Sequence, residues 1–172
     1  MKSKRIRELA RIALLVALLA VLSQIAIPLP SLVPITLQIY AVSLIGYYLR
    51  AKKSIIVILV YLALGAIGIP IFASFQGGFA YLLGYTGGFI FGFIPLCLLC
   101  SLGRELRHSW IFGIVGVLLC HLMGILQYSL IARLDFLSSL LTVSLPFLLK
   151  DIVLTILAFI TTKSLNKIIK KS

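Results

Sequence analysis

Fourteen of the sixteen Lys and Arg residues fall into four clusters, and residues 12–49 and 54–103, which separate the first three, hold no Lys, Arg, Asp or Glu. An α-helix needs about 20 apolar residues to cross the hydrocarbon core of a bilayer. Each charge-free stretch therefore has the length for two crossings, and the chain comes back to the same side at every cluster. Lys2, Lys4, Arg5, Arg7 and Arg11 make the first cluster, Arg50, Lys52 and Lys53 the second, Arg104 and Arg107 the third, and Lys163, Lys167, Lys170 and Lys171 the last. Arg133 and Lys150 belong to the opposite side. Because short cytoplasmic loops are enriched in Lys and Arg, the pattern predicts an all-α, polytopic membrane protein. Residues 1–172 are expected to form one domain, a bundle of six transmembrane helices with N- and C-termini cytoplasmic.

The spans are expected near residues 9–27, 36–50, 54–70, 84–103, 109–132 and 143–162. Pro28, Pro30 and Pro34 break the first charge-free stretch, since proline lacks a backbone donor and restricts the residue before it. Gly68, Pro70 and the segment Ala73-Ser74-Phe75-Gln76-Gly77-Gly78 break the second, with a loop expected around 70–83. Ser144 before Pro146 marks the start of the last span. The first span is read as a retained helix and not a cleaved signal peptide. No small-x-small site precedes Pro28, and removal would throw the basic clusters one crossing out of phase.

Hydrophobic residues make up 62% of the chain and charged ones 12%, against about 25% charged in soluble domains. A net charge of +12 in a soluble protein would suggest nucleic acid. Here the charge sits at segment ends, where it orients helices against anionic lipid, so no nucleic-acid partner is expected. The connections are too short for a nucleotide-binding domain and no glycine-lysine phosphate loop occurs, so any use of ATP falls to a partner. Neither a His-Glu-x-x-His pair nor a Gly-x-Ser-x-Gly elbow is present, and no enzyme or cofactor is expected.

Asp151 is the leading candidate for a binding role. It lies about 8 Å along the last helix, and an intramembrane carboxylate is costly unless it faces protein or water. The competing reading is a structural pair with Lys150 or a hydroxyl. Lys150 divides between ligand contact and a stem that reaches back to the interface. Phe75, Gln76, Gly77 and Gly78 read as a binding loop, since irregular backbone at membrane depth lines a cavity or is buried in protein. In Gly84-Tyr85-Thr86-Gly87-Gly88, the four-residue recurrence Gly84, Gly88, Gly92 reads mainly as helix packing. Gln38, Gln127 and Tyr128 are polar groups on the outer side, for a ligand or for a neighbouring helix. Ala10, Ala13, Ala17 and Ala20 share one face of the first helix, a docking surface for a partner or for the bundle itself. Cys97, Cys100, Cys120 and His121 lie at different depths, so they are read as buried side chains and no metal site is expected.

Three segments go further: Val33-Pro34-Ile35-Thr36-Leu37-Gln38, then Tyr61-Leu62-Ala63-Leu64-Gly65-Ala66-Ile67-Gly68-Ile69-Pro70-Ile71-Phe72, then Gly84-Tyr85-Thr86-Gly87-Gly88-Phe89 with Gly92-Phe93. In this order the chain resembles the BioY family, the biotin-specific S components of energy-coupling-factor (ECF) transporters. The resemblance implies a multi-pass protein of the cell inner (cytoplasmic) membrane that binds biotin from the outside and releases it inside. A membrane T component and two ATPase subunits supply the energy, and the alanine face of the first helix docks to them. Set against biotin's ureido donors, apolar rings and anionic tail, the candidate substrate contacts read from the residues are Asp151, Lys150, Phe75, Gln76, Gly77, Gly78, Tyr85, Thr86, Gln38 and Tyr128. Two positions depart from the family: Leu154 stands where lysine usually follows the aspartate, and Tyr85 where proline is usual. The first departure leaves room for a related vitamin such as lipoate. A solitary, gradient-driven carrier is the alternative, and self-association into a homo-oligomer stays open.

Overall fold

The prolines at 28, 30 and 34 turn the chain into a small hairpin. In the computed structural model, which describes residues 2–106 and 108–169, helix α1 (Lys2–Gln24) leads into strand β1 (Ala26–Ile27). This strand pairs antiparallel with β2 (Ile35–Thr36), Ala26 opposite Thr36 and Ile27 opposite Ile35. Helices α2 (Gln38–Tyr48) and α3 (Ala51–Ala66), a 3-10 turn (Ala73–Phe75) and a short α4 (Phe79–Leu82) follow. The chain then forms α5 (Gly87–Gly103), α6 (Ser109–Ala132), α7 (Phe136–Val143) and α8 (Leu145–Ile169). Arg107, Lys170 and Lys171 of the basic clusters lie outside the described residues.

The helical class agrees with the sequence, but the elements differ from it in ways with local causes. The hairpin takes residues 26–36 out of helix, so α1 stops at Gln24 and α2 starts only at Gln38. Gly68, with φ +102°, ends α3 early. Helix α7 was not anticipated. It forms because Asp135 caps it: Oδ2 accepts the Ser138 amide at 3.0 Å and Oδ1 accepts the Ser138 hydroxyl at 2.6 Å. Among the described helices, α6 and residues 145–168 of α8 are long and apolar enough to cross a membrane, and α5 is apolar but shorter. At about 1.5 Å per residue the 11 residues of α2 reach only about 16 Å.

Helix α2 is the core element. It buries nine of its 11 residues and packs against α1, α3, α5 and α8. A helix apolar on every side belongs inside a bundle. Beside it, α5 and α6 meet along a seam of small residues. A Cβ at Gly92 would lie 2.7 Å from the Cys120 Cα, one at Gly88 would meet the Met123 carbonyl and the Gly124 Cα, and one at Gly116 would lie 3.0 Å from the Leu96 Cα. Gly84 falls outside this seam, in the turn ahead of α5, so the packing face runs through Gly88 and Gly92.

The ionised Asp135 carboxylate accepts two hydrogen bonds from Ser138, which hold its pKa below the usual carboxylate value. A depressed carboxylate stabilises the fold above its unfolded-state pKa, and that contribution disappears as pH falls through the folded-state value. Protection of the α7 amides relative to their intrinsic exchange rates should therefore fall selectively below about pH 4, and Asp135→Asn should remove most of this pH dependence.

Candidate ligand-binding site

The amino ends of α2, α5 and α8 converge with the 33–36 and 73–81 segments around an open hollow, about 520 Å³ of empty space with the open solvent at its mouth included. Ile39, Phe89, Ile90, Phe93 and Phe147 supply apolar walls, and Val33, Pro34 and Ala73 line it from the two loop segments. Thr36, Gln38, Tyr81, Thr86, Lys150 and Asp151 supply the polar atoms. A mostly apolar pocket with a few convergent polar groups is the usual form of a small-molecule site.

Asp151 is 5% exposed and held from two sides. His121 Nε2 lies 3.1 Å from Oδ2, and His121 Nδ1 lies 2.8 Å from the Ser144 hydroxyl. The Lys150 ammonium lies 2.6 Å from Oδ1 as an ion pair, without a well-angled hydrogen bond to that oxygen, and a carboxylate oxygen with two lone pairs can accept one further donor. Lys150 donates instead to the Thr36 carbonyl at 3.0 Å. Although adjacent on α8, Lys150 and Asp151 thus meet at the hollow, and the lysine joins α8 to the hairpin.

Gln38 also lines the hollow, but its amide serves a buried network. Nε2 donates to the Ser23 hydroxyl at 3.1 Å and the Tyr61 hydroxyl at 2.9 Å, and Oε1 accepts from Thr36 Oγ1 at 3.1 Å. Tyr61 passes the chain on to the Ile71 carbonyl at 3.0 Å. The amino end of α2 is thereby tied to α1, α3 and the loop above the site.

The expected binding loop is placed differently. Phe75 is 71% exposed, Gln76 is exposed, and neither lines the hollow; Ala73 and Tyr81 from the same region do. Ser74 and Phe75 both have positive φ, 57° and 58°, a conformation L-residues adopt at a cost. Gln24 holds them there: its Oε1 accepts the Phe75 amide at 2.8 Å and its Nε2 donates to the Phe72 carbonyl at 3.1 Å. Gly77 packs against the Ile69 carbonyl. The Gly78 amide donates to the Gly65 carbonyl at 2.7 Å, with a φ of +95° that favours glycine.

Thr86 is at the hollow, whereas Tyr85 and Tyr128 lie next to it, ring against ring at 5.6 Å, in a second apolar cluster with Val33 and Phe147. Gln127 donates to the Leu82 and Gly84 carbonyls at 2.9 and 2.8 Å, bracing the turn before α5. Ala10, Ala13 and Ala17 are exposed and Ala20 is half-buried, on the side of α1 away from buried Leu15, Val16 and Leu19. Cys97 and Cys100 face Gly46 of α2, and Cys120 donates to the Phe89 carbonyl.

His121 is the residue whose role sequence reading misses. On sequence grounds it is weighed only as a metal ligand, yet an imidazole in the middle of an apolar helix is itself an intramembrane ionisable group. About 15 Å from one end of its helix, it is nearly as far from the other, at a depth the first turns of the following long helix can reach. The aromatic walls carry no comparable signal, because Phe89, Phe93 and Phe147 look like ordinary apolar helix positions.

A helical membrane bundle whose helix ends enclose a small pocket, with one buried acid and an inward lysine, is the architecture of a solute-binding membrane protein. The BioY family profile matches residues 1–171, and the chain belongs to that family. It is 38% identical over 165 residues to the biotin transporter BioY2 of Lactococcus lactis subsp. cremoris, covering 93% of this chain and 90% of that one. It is 37% identical over 161 residues to a probable biotin transporter BioY of Pyrococcus horikoshii, covering 93% and 96%. Its fold superposes with a TM-score of 0.87 on the crystal structure of the S-component for biotin from an ECF-type ABC transporter, at 25% identity and covering 97% and 94% of the two chains.

Proposed function

We propose that this chain is the biotin-capturing S component of an ECF-type transporter. It is a transport protein and not an enzyme, in keeping with its family. The observation that carries the substrate reading is the buried Asp151 carboxylate, fixed at Oδ2 by His121 and with Oδ1 still able to accept, beside an apolar hollow. Biotin offers a ureido group with two N–H donors, a compact fused ring pair and an anionic tail. Asp151 Oδ1 accepts from the ureido N–H, and Phe89, Phe93 and Phe147 pack the rings. Thr36 and Thr86 contribute hydroxyls.

The hollow lies at the amino ends of α2, α5 and α8, away from the basic termini of α1 and α8 and from the basic turns after α2 and α5. Six crossings follow if α1, α2, α3, α5, α6 and α8 each count as one, with α4 and α7 as half-depth pieces at the outer face. With the basic clusters cytoplasmic, both termini are inside and the site opens outward, in the cytoplasmic membrane.

Equilibrium binding to the detergent-purified chain tests the substrate. Saturable biotin binding is expected to be at least about tenfold tighter than lipoate binding, because lipoate has no ureido donors to satisfy the buried carboxylate. Equal affinities, or none for biotin, would reject the reading.

The exposed face of Ala10, Ala13 and Ala17 is our proposed docking surface for the membrane T component, which with two ATPases supplies the energy. Ala13→Leu with Ala17→Leu should leave biotin binding within about twofold, since both side chains are away from the hollow. The same pair should abolish ATP-dependent uptake in cells that supply the T component and ATPases. Retention of uptake would place docking elsewhere.

A further inference from the structure

We propose that His121 is a positioning residue of the capture site: it holds Asp151 for the ligand's N–H donors, and its own protonation sets how strongly the site attracts an anionic tail. This rests on the biotin reading above. His121 is 3% exposed and stands behind Asp151, outside the lining of the hollow, so its influence on a ligand passes through Asp151 and through its charge. Both ring nitrogens are engaged, Nε2 with Asp151 and Nδ1 with Ser144.

The Ser144 partner is what admits two protonation states. A hydroxyl both donates and accepts. With neutral imidazole, Nε2–H donates to Asp151 and Nδ1 accepts from the Ser144 hydroxyl. With imidazolium, Nδ1–H donates to the same oxygen, which rotates its own hydrogen away. No heavy atom has to move, and the trio of Lys150, Asp151 and His121 changes from net neutral to net positive.

The surroundings leave that charge change uncompensated. From α8, His121 faces Asp151 and, beyond it, Lys150. From α5 it meets the Phe89 ring, the two near-perpendicular rings 5.6 Å apart between centroids, and the ionisable residues of that helix are Cys97 and Cys100, which face α2 instead. Helix α7 carries no ionisable residue, and on α6 the neighbouring thiol of Cys120 donates to the Phe89 carbonyl. A unit charge roughly 10 Å from a carboxylate, at an effective dielectric constant near 20, changes affinity by about an order of magnitude.

The test is equilibrium binding of biotin and of its carboxamide, whose tail is uncharged, to the purified full chain from about pH 8.5 down to 5.5, a range in which biotin stays ionised. Wild-type affinity for biotin should rise about tenfold as pH falls, and affinity for the carboxamide should stay within about twofold. His121→Gln, which keeps a polar group opposite Asp151 but cannot take a charge, should flatten the biotin profile. A flat wild-type profile for biotin, an equal slope for the carboxamide, or an unchanged slope in His121→Gln overturns the inference. Should that variant not fold, the two wild-type profiles decide the matter alone. Absence of saturable biotin binding at every pH overturns the substrate reading and this inference with it, whereas a flat profile with tight binding overturns the inference only.

Discussion

Asp151→Asn is expected to lower biotin affinity about a hundredfold while leaving the chain folded. A hydrogen bond to an ionised acceptor contributes about 1.5–3 kcal/mol, and tenfold in affinity is about 1.4 kcal/mol, so loss of the charge on Oδ1 accounts for one to two orders of magnitude. The fold tolerates the change because asparagine still offers an oxygen to His121 Nε2, at 3.1 Å from Oδ2 in the parent protein. Lys150, 30% exposed and bonded to the Thr36 carbonyl, is not left as a fully buried lone charge. Isothermal titration with biotin, alongside the thermal midpoint of the purified variant, separates the two effects. Wild-type affinity in a folded Asp151→Asn protein would remove Asp151 from the binding scheme.

Gly92→Leu is expected to be strongly destabilising. Its Cβ would sit 2.7 Å from the Cys120 Cα and 2.8 Å from Cys120 Sγ, so α5 and α6 would have to separate along their closest seam. Overpacking costs about 1–3 kcal/mol and occasionally more, and here the obstacle is the neighbouring helix backbone, which cannot rotate aside. Loss of most folded protein after extraction, or a thermal midpoint lower by about 10 °C or more, is expected. The control is Ala13→Leu, which adds similar volume to an exposed face of α1 and should leave the midpoint nearly unchanged. If both variants were equally stable, the glycine seam would not be a close-packed contact.

The parts of the site that were legible in the sequence were those that break an apolar background. Asp151 and Lys150 stand out because charge inside a membrane segment is costly, and the prolines at 28, 30 and 34 stand out because they interrupt helix. The residues that were not legible are ordinary in type. His121 was visible, but its partner lies 30 residues away on another helix, and only the packing of α6 on α8 brings the two together. Phe75 and Gln76 illustrate the reverse case: the loop was visible as irregular, but the Gln24 side chain determines how it folds, and it turns Ala73 inward and Phe75 outward.

Helix α7 and the hairpin show the same division within the backbone. Breaks were readable where Pro or Gly changes the local conformation, whereas α7 depends on one capping aspartate, Asp135, which the sequence reading passed over. Gly88 and Gly92 pack helix against helix as the four-residue recurrence suggested, but the start of α5 at Gly87 leaves Gly84 out of the seam.

From its order of residues alone, the chain determined that it is helical and membrane-embedded, which family it resembles, and which acid is out of place in lipid. Those properties are sums over local free energies, the transfer of apolar stretches into hydrocarbon and the cost of burying charge, and sums of that kind are written along one dimension. Tertiary structure alone decided which groups surround Asp151, because the three helix ends that enclose it are far apart in the chain and their relative rotation follows from close packing at glycines and buried hydrogen bonds. A shift of one helix position turns a side chain by about 100°, enough to move a residue from the hollow to lipid, and no local preference carries that information.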